Sequence, residues 1–229
     1  MPYLGIDTAT GRGSIALAHD RRLLGETVLE ERGAHALDLL PRLDALLRGL
    51  GLQAADLAGI GVTTGPGSFT GVRVGMATAK GLAYALGIGV SGLSTLEALA
   101  LAALRHLDPA PPAICPVLEA GRGEVYATVF RTGPGGLSRT GEDRAWRPCD
   151  LPALLPEGVL LAGDGAAALI REAAAAGRTF ATLDPSPVLA GAVAVWAGET
   201  LAGSTGYRPG TLRPNYVRPA DVARRRRRP

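Results

Sequence analysis

Leucines 39, 43, 46, 47 and 50 recur at helical spacing through "HALDLLPRLDALLRGL", which predicts an amphipathic helix over residues 35–50. Gly51 supplies a C-terminal stop. Pro41 lacks an N–H and predicts a bend near the first turns, or a start close to it. Ahead of this helix the pattern is that of strands. "YLGID" is a short apolar run ending in an acid, "TATGRG" is a turn cluster, and "SIALAHD" and "RLLGETVLE" follow as two more strands, an antiparallel start. Next come a buried strand in "LAGIGVTTG", a loop and helix in "GPGSFTGVRVGMATAKGLA", a strand and turn in "GIGVSGLST", and a helix in "LEALALAALRHL". "DPAPP" breaks all periodicity and marks a boundary. Beyond it the order partly recurs. "AICPVLEAGRGEVYATVF" is strand, glycine-rich turn, strand; "GVLLAGDGAAALIREAAAAG" is strand, turn, helix; "PVLAGAVAVWAGETLAG" is a further helix; and "GTLRPNYVRPADV" is an irregular tail. Two halves that each open with a hairpin around a glycine-rich turn predict an internal duplication.

The helix after "GPGSFT" is unusual, because glycine inside a helix costs about 1 kcal/mol relative to alanine. Gly71, Gly75, Ala79 and Ala83 fall every fourth residue and so share one face. Small residues on one face allow close backbone approach. Either the face packs on its own sheet, or it receives a helix of another chain. In the loop before it, Ser68 or Thr70 can cap the helix, or the same N–H groups can hold an anion. The Walker A spacing is absent. Phe69 in that loop is a candidate contact anchor.

Other motifs carry two readings each. Asp7-Thr8 with the turn Gly11-Arg12-Gly13-Ser14 is either a site for a phosphate and its Mg²⁺ or a hairpin with an Asx-type turn. Gly163-Asp164-Gly165 matches a relaxed dinucleotide fingerprint, with Asp184 at the ribose-binding distance, in a chain rich enough in alanine and glycine to produce one by chance. His19, His35 and His106 form no His-x3-His pair, and there is no Gly-x-Ser-x-Gly elbow, so neither a helical metal pair nor hydrolytic machinery is visible.

Composition narrows the class. Over 229 residues, 47% hydrophobic and only 4% aromatic describe a folded chain whose core is mostly Leu, Val, Ile and Ala. Net charge is +3, and Arg224–Arg228 contribute five of the positive charges, so the rest of the chain stands at −2 and the basic character belongs to the tail. Such a run is either a solvated terminus or a phosphate-contacting one. Cys115 and Cys149 lie far apart without metal spacing, which fits a reduced cytoplasmic protein. The N-terminus has no secretory pattern, and apolar stretches end well short of a membrane span.

Taken in order, "GIDTATGRGSIAL", "HALDLLPRLDALL", "GVTTGPGSFTGVRVGMATAKGLA", "GLSTLEALA", "EAGRGEVYA" and "RPNYVRP" resemble the TsaB (YeaZ) family. The resemblance implies an α/β, two-lobed actin/Hsp70-like ATPase fold (ribonuclease H-like) in degenerate form. On that template residues 1–106 are an N-terminal lobe and 107–112 a linker. Residues 113–185 are a smaller C-terminal lobe, 186–221 a returning helix and tail on the first lobe, and 222–229 a basic disordered tail. The implied role is a non-catalytic scaffold for installing N6-threonylcarbamoyladenosine at position 37 of ANN-decoding tRNAs. It pairs with the catalytic, metal-holding TsaD, and with itself when TsaD is absent. The ATPase TsaE joins them. No intrinsic cofactor is implied: the metal belongs to TsaD, ATP or ADP with Mg to TsaE, and tRNA contact is indirect. The implied partner interface maps to His35, Leu39, Leu43, Leu46, Phe69, Gly71, Arg73, Gly75, Ala79 and Ala83. A vestigial nucleotide site maps to Asp7, Thr8, Gly11, Ser14, Gly121, Gly163, Asp164 and Gly165. Glu119 stands where family members often carry Asp. The competing expectation is a small-molecule kinase or ATPase of the same fold.

Overall fold

In the computed structural model, which describes residues 1–29, 35–203 and 212–218, the opening hairpin forms the centre of a five-stranded sheet. β1 (Tyr3–Asp7) pairs antiparallel with β2 (Ser14–His19), and β2 with β3 (Arg22–Val28). On its other side β1 runs parallel to β4 (Gly59–Thr63), and β4 to β5 (Gly89–Leu93). The order is β3-β2-β1-β4-β5. α1 (His35–Gly49) and α2 (Phe69–Leu86) are the connections into β4 and β5, and α3 (Thr95–Leu104) follows. Pro41 is accommodated inside α1.

The second half repeats the plan. β6 (Ala113–Gly121) pairs antiparallel with β7 (Glu124–Ala127), which pairs with β10 (Arg144–Trp146). On the other side β6 runs parallel to β11 (Val159–Ala162), and β11 to β12 (Ala181–Leu183). The resulting order, β10-β7-β6-β11-β12, matches that of the first sheet, so the duplication expected from the sequence is present in the topology. A short hairpin, β8 (Phe130–Gly133) and β9 (Gly136–Arg139), is added against the start of β6. α4 (Ala166–Ala175) links β11 to β12.

Period-two alternation decides which face each helix covers. Leu4, Ile6, Ile60 and Val62 point to one face of the first sheet and form a core with Leu39, Leu43 and Leu47 of α1 and Val72, Met76, Ala79 and Ala83 of α2. The opposite face of β1 and β4 carries Gly5, Gly59 and Gly61 and receives α5 (Ala190–Leu201), which returns from the second half. A Cβ on Gly61 would lie 2.8 Å from the Val193 carbonyl oxygen, so only glycine admits the helix at this depth. α3 and α5 contribute to a core that also takes Ile114, Leu118 and Phe130 from the second lobe. Both lobes are thereby fused across buried apolar surface.

The small-residue face of α2 is not an approach surface for another subunit. Gly71, Gly75, Ala79 and Ala83 are all buried inside their own lobe. A Cβ on Gly71 would overlap the Thr8 carbonyl oxygen, and one on Gly75 would overlap the Thr8 hydroxyl. The glycines let the first turns of α2 lie directly on the end of β1, where the Thr8 hydroxyl donates to the Gly71 carbonyl at 2.7 Å. Leu39 and Leu43 belong to the same core, and Leu46 is half-buried against it. The side chain of His35 and the run Arg224–Arg228 lie outside the described residues.

Candidate functional site: interlobe cleft and exposed helical face

The loop that leaves β1 and the loop that enters α2 meet at the mouth of a cleft between the lobes. Its volume is about 400 Å³, and its lining includes Thr10, Gly11, Ser68, Thr70, Glu119 and Asp164. The two loops are tied together, because the Ser68 N–H donates to the Ala9 carbonyl at 2.8 Å. Ser68 is the N-cap of α2, its hydroxyl accepting from the Gly71 N–H at 3.2 Å. Capping therefore engages part of the helix N-terminus that an anion would need.

Asp7 does not face this cleft as a free ligand. It is fully buried, and Oδ1 accepts from the Ala9 N–H at 2.9 Å and from the Thr63 hydroxyl at 2.7 Å. Oδ2 accepts from the Thr10 hydroxyl at 2.5 Å. This is the Asx-type turn among the two readings of the motif. Ser14 is also buried and turned away, accepting from the Ala190 N–H at 3.1 Å at the start of α5. Gly121 sits in the exposed β6–β7 turn at φ +72°. Gly163 and Gly165 are packed against Val117 of β6. Of the eight positions mapped to a vestigial nucleotide site, Gly11 and Asp164 line the cleft. Asp164 Oδ1 there accepts from the Glu119 N–H at 2.9 Å. A Mg-bound nucleotide, which the fold implies, does not fit this donor set: the carboxylate best placed to ligate through magnesium waters is consumed by three internal hydrogen bonds.

The outward faces of α1 and α2 were missed by reading the Leu39–Leu50 and Gly71–Ala83 periodicities alone. Leu37 is 80% exposed, Leu40 50% and Tyr84 75%. Along α2 the exposed positions Arg73, Ala77, Gly81 and Tyr84 fall on the side opposite Gly71 and Gly75, and a Cβ on Gly81 would meet only open space. The signal was in the sequence: apolar residues at 37 and 40 lie off the core-facing stripe of α1, and a tyrosine stands at 84 among small residues.

At the N-terminal end of α2, Phe69 is half-buried under the Arg73 guanidinium, whose carbon lies 3.8 Å from the ring centroid. Arg73 Nε donates to the Tyr216 hydroxyl at 2.9 Å, and the Phe69 and Tyr216 rings are 5.2 Å apart. Residues 212–218 continue across to the second lobe. The Asn215 N–H donates to the Thr64 carbonyl at 2.7 Å, and its amide Nδ2 donates to Asp143 Oδ2 at 2.7 Å. Arg218 donates to the Ala120 carbonyl at 2.9 Å and pairs with Glu124 at 2.8 Å.

Two titratable groups are shifted by burial away from the cleft. Desolvation pushes the Glu26 carboxyl up, partly offset by the Gly191 N–H it accepts at 2.7 Å and by Arg105 and His106. Burial pushes the Cys115 thiol up to about 12, so it is not a nucleophile at neutral pH. Among the described residues no group of three or more His, Cys, Asp or Glu is placed to hold a metal, and no helix is long and apolar enough to cross a membrane.

A family model described as TsaD, tRNA N6-adenosine threonylcarbamoyltransferase, matches residues 23–151. The chain is 35% identical over 157 residues to the tRNA threonylcarbamoyladenosine biosynthesis protein TsaB of Bacillus subtilis, covering 69% of this chain and 67% of that protein. It is 34% identical over 137 residues to the Escherichia coli protein of the same name, covering 60% of this chain and 58% of that one. The solved structure of YeaZ from Pseudomonas aeruginosa superposes with a TM-score of 0.80 at 28% identity, over 94% of this chain and 99% of that one. The two repeated lobes are those of the actin-like ATPase fold.

Proposed function

The chain belongs to the TsaB (YeaZ) family, and from that premise we propose that it is the accessory, non-catalytic subunit of the assembly that makes N6-threonylcarbamoyladenosine in tRNA. It pairs with a threonylcarbamoyltransferase of the TsaD kind and holds it in an active form. The ATPase TsaE joins the pair, and the chain pairs with itself when the transferase is absent. The setting is the cytoplasm. A transferase family model matches more than half of this chain, so the two proteins share a fold. A contact between related subunits and a contact between two copies can then use one and the same face.

The observation that carries this reading is the exposed apolar side of α1 and α2, where Leu37, Leu40 and Tyr84 stand out of the lobe, Leu37 and Tyr84 being the most exposed large hydrophobic side chains among the described residues. Ala77 and Gly81 beside Tyr84 keep that side of α2 low enough for a partner helix to come close. The interface thus uses the two helices expected from the sequence and shares Arg73 with that expectation, but it uses the side of α2 away from Gly71 and Gly75 and the exposed Leu37 and Leu40 of α1 in place of Leu39 and Leu43. The internally satisfied Asp7 supports assigning nucleotide and metal chemistry to the partners.

Co-elution tests this. Tyr84→Asp and Leu40→Asp place a charge on the exposed face without touching the core, so both variants keep the wild-type melting temperature and lose co-elution with the transferase. Variants that co-elute at wild-type affinity contradict the assignment. A second reading, a kinase or ATPase, draws on the cleft with Glu119 and Asp164 in its lining. Calorimetry with Mg·ATP separates them: micromolar binding by the isolated chain favours the enzyme.

A further inference from the structure

We propose that the second lobe carries a seat for an amphipathic helix of another protein, at the place where the duplicated fold leaves out a helix of its own. The two sheets have the same strand order, and α4 lies between β11 and β12 as α2 lies between β4 and β5. α1 has no such counterpart. In the first lobe it stands between β3 and β4 and lays Leu39, Leu43 and Leu47 into the core beside α2. The corresponding connection, residues 147–158 between β10 and β11, holds one short turn, Pro152–Leu154. Cys115 and Ala127 point to the face of the second sheet that α4 covers, where they share a core with Leu169. On that face, beside β7 and β10, a hollow of about 320 Å³ remains, lined by Cys115, Ala127, Trp146, Leu151, Leu154 and Leu155.

The hollow calls for apolar side chains. Three uncharged polar groups in its lining are already engaged: the Thr128 hydroxyl donates to the Gly141 carbonyl at 3.2 Å, the Thr140 hydroxyl to the Val129 carbonyl at 2.8 Å, and Trp146 Nε1 to the Ala127 carbonyl at 3.3 Å. Leu154 stands 64% exposed at the edge. The turn that carries it is held in place, because both terminal nitrogens of Arg178 donate to the Leu155 carbonyl at 3.1 Å. Charge narrows the occupant further. Glu142 and Arg144 are exposed in the same lining, and neither side chain has an ion-pair or hydrogen-bond partner among the described residues. A helix, about 10 Å across, stays outside such a hollow while the side chains of one face enter it. Leucines at i and i+4, flanked by a base to meet Glu142 and an acid to meet Arg144, complement both the apolar floor and the charged rim. Leu39, Leu43 and Leu47 of α1 meet the first sheet at the same spacing. The seat lies on the second lobe, apart from the exposed side of α1 and α2, so it does not depend on pairing with the transferase.

The test is a titration of the full chain with a helical peptide of about four turns, stapled because so short a helix does not hold its shape alone. The peptide carries leucines at every fourth position, with glutamate and lysine beside them. Trp146 and Trp196 are the two tryptophans of the chain, so in a Trp196→Phe background the emission of Trp146 reports from the seat itself. Binding is expected to shift that emission to the blue as the hollow fills. Leu154→Asp is expected to weaken the peptide about tenfold and Leu154→Met to bind it as the background does, both at an unchanged melting temperature. Arg144→Glu is expected to weaken the peptide about threefold and to favour one in which lysine replaces the glutamates. The proposal fails if Trp146 does not respond, if a scrambled peptide of the same composition binds equally, or if Leu154→Asp binds as the background does. Tyr84→Asp is expected to leave peptide binding intact; a loss there moves the contact to α1 and α2 and overturns the proposal. Sedimentation of the free chain separates the remaining occupant. A dimer that Leu154→Asp dissolves makes the occupant a second copy and contradicts a different partner, whereas an assembly state untouched by Leu154→Asp supports it.

Discussion

Gly75 shows how one atom decides between two accounts of the same sequence. The four-residue spacing of Gly71, Gly75, Ala79 and Ala83 was legible, and so was the inference that something packs closely there. What packs there was not legible, because the partner is Thr8, more than sixty residues away in the chain. Gly75→Leu therefore cannot report on an interface, since it disrupts the lobe first. Gly75→Ala is expected to destabilise the fold by about 1–3 kcal/mol through overpacking. Gly81→Ala, in open space on the same helix, is expected to stabilise by roughly 1 kcal/mol. Chemical denaturation of the two variants side by side checks the pair. Glu26 offers a pH-dependent counterpart. Its carboxyl is raised in the folded state above its ordinary 4.5, so the ionised form costs stability at neutral pH and that cost is relieved as pH falls through the raised value. Glu26→Gln keeps an acceptor for the Gly191 N–H and removes the charge. The variant's advantage in melting temperature is expected to be largest near neutral pH and to vanish by about pH 4.5. An advantage that is constant with pH contradicts the burial account.

At the scale of elements, the strongly periodic segments were the readable ones. α1, α2 and α3 and the strands β1 to β6 follow from apolar spacing and glycine or proline punctuation, because all but the edge strand β3 bury apolar residues in the core. The stretch with β8, β9 and β10 gave no such signal. These strands are three or four residues long and mostly exposed, so alternation has no buried face to mark. Helix existence was also easier to read than helix orientation. Either side of α1 and α2 carries apolar or small residues, and only the position of the sheet shows that Leu39 and Gly75 turn inward while Leu40 and Tyr84 turn outward. The loss of pairing expected for Tyr84→Asp belongs to this scale. It depends on which side of an element faces water, not on the identity of any one contact.

For the whole molecule, duplication is the organising fact. Two sheets of the same strand order are fused through α3 and α5, and residues 212–218 fasten the lobes a second time. The repeated order was foreshadowed by the recurrence of a hairpin and glycine turn in each half. The fastening was not, because "RPNYVRP" has no periodicity and its bonds run to Thr64, Asp143 and Glu124. A cleft remains between the lobes, but the aspartate at its first loop is spent on holding that loop in shape. The chain keeps the actin-like architecture and presents an exposed apolar face on α1 and α2, which the proposed function takes as its contact surface. The most direct measurement is threonylcarbamoyladenosine formation on tRNA by the transferase and the ATPase, with and without this chain. The account predicts that modification needs the chain and falls with Tyr84→Asp. Full modification in its absence, or undiminished modification with the variant, contradicts it.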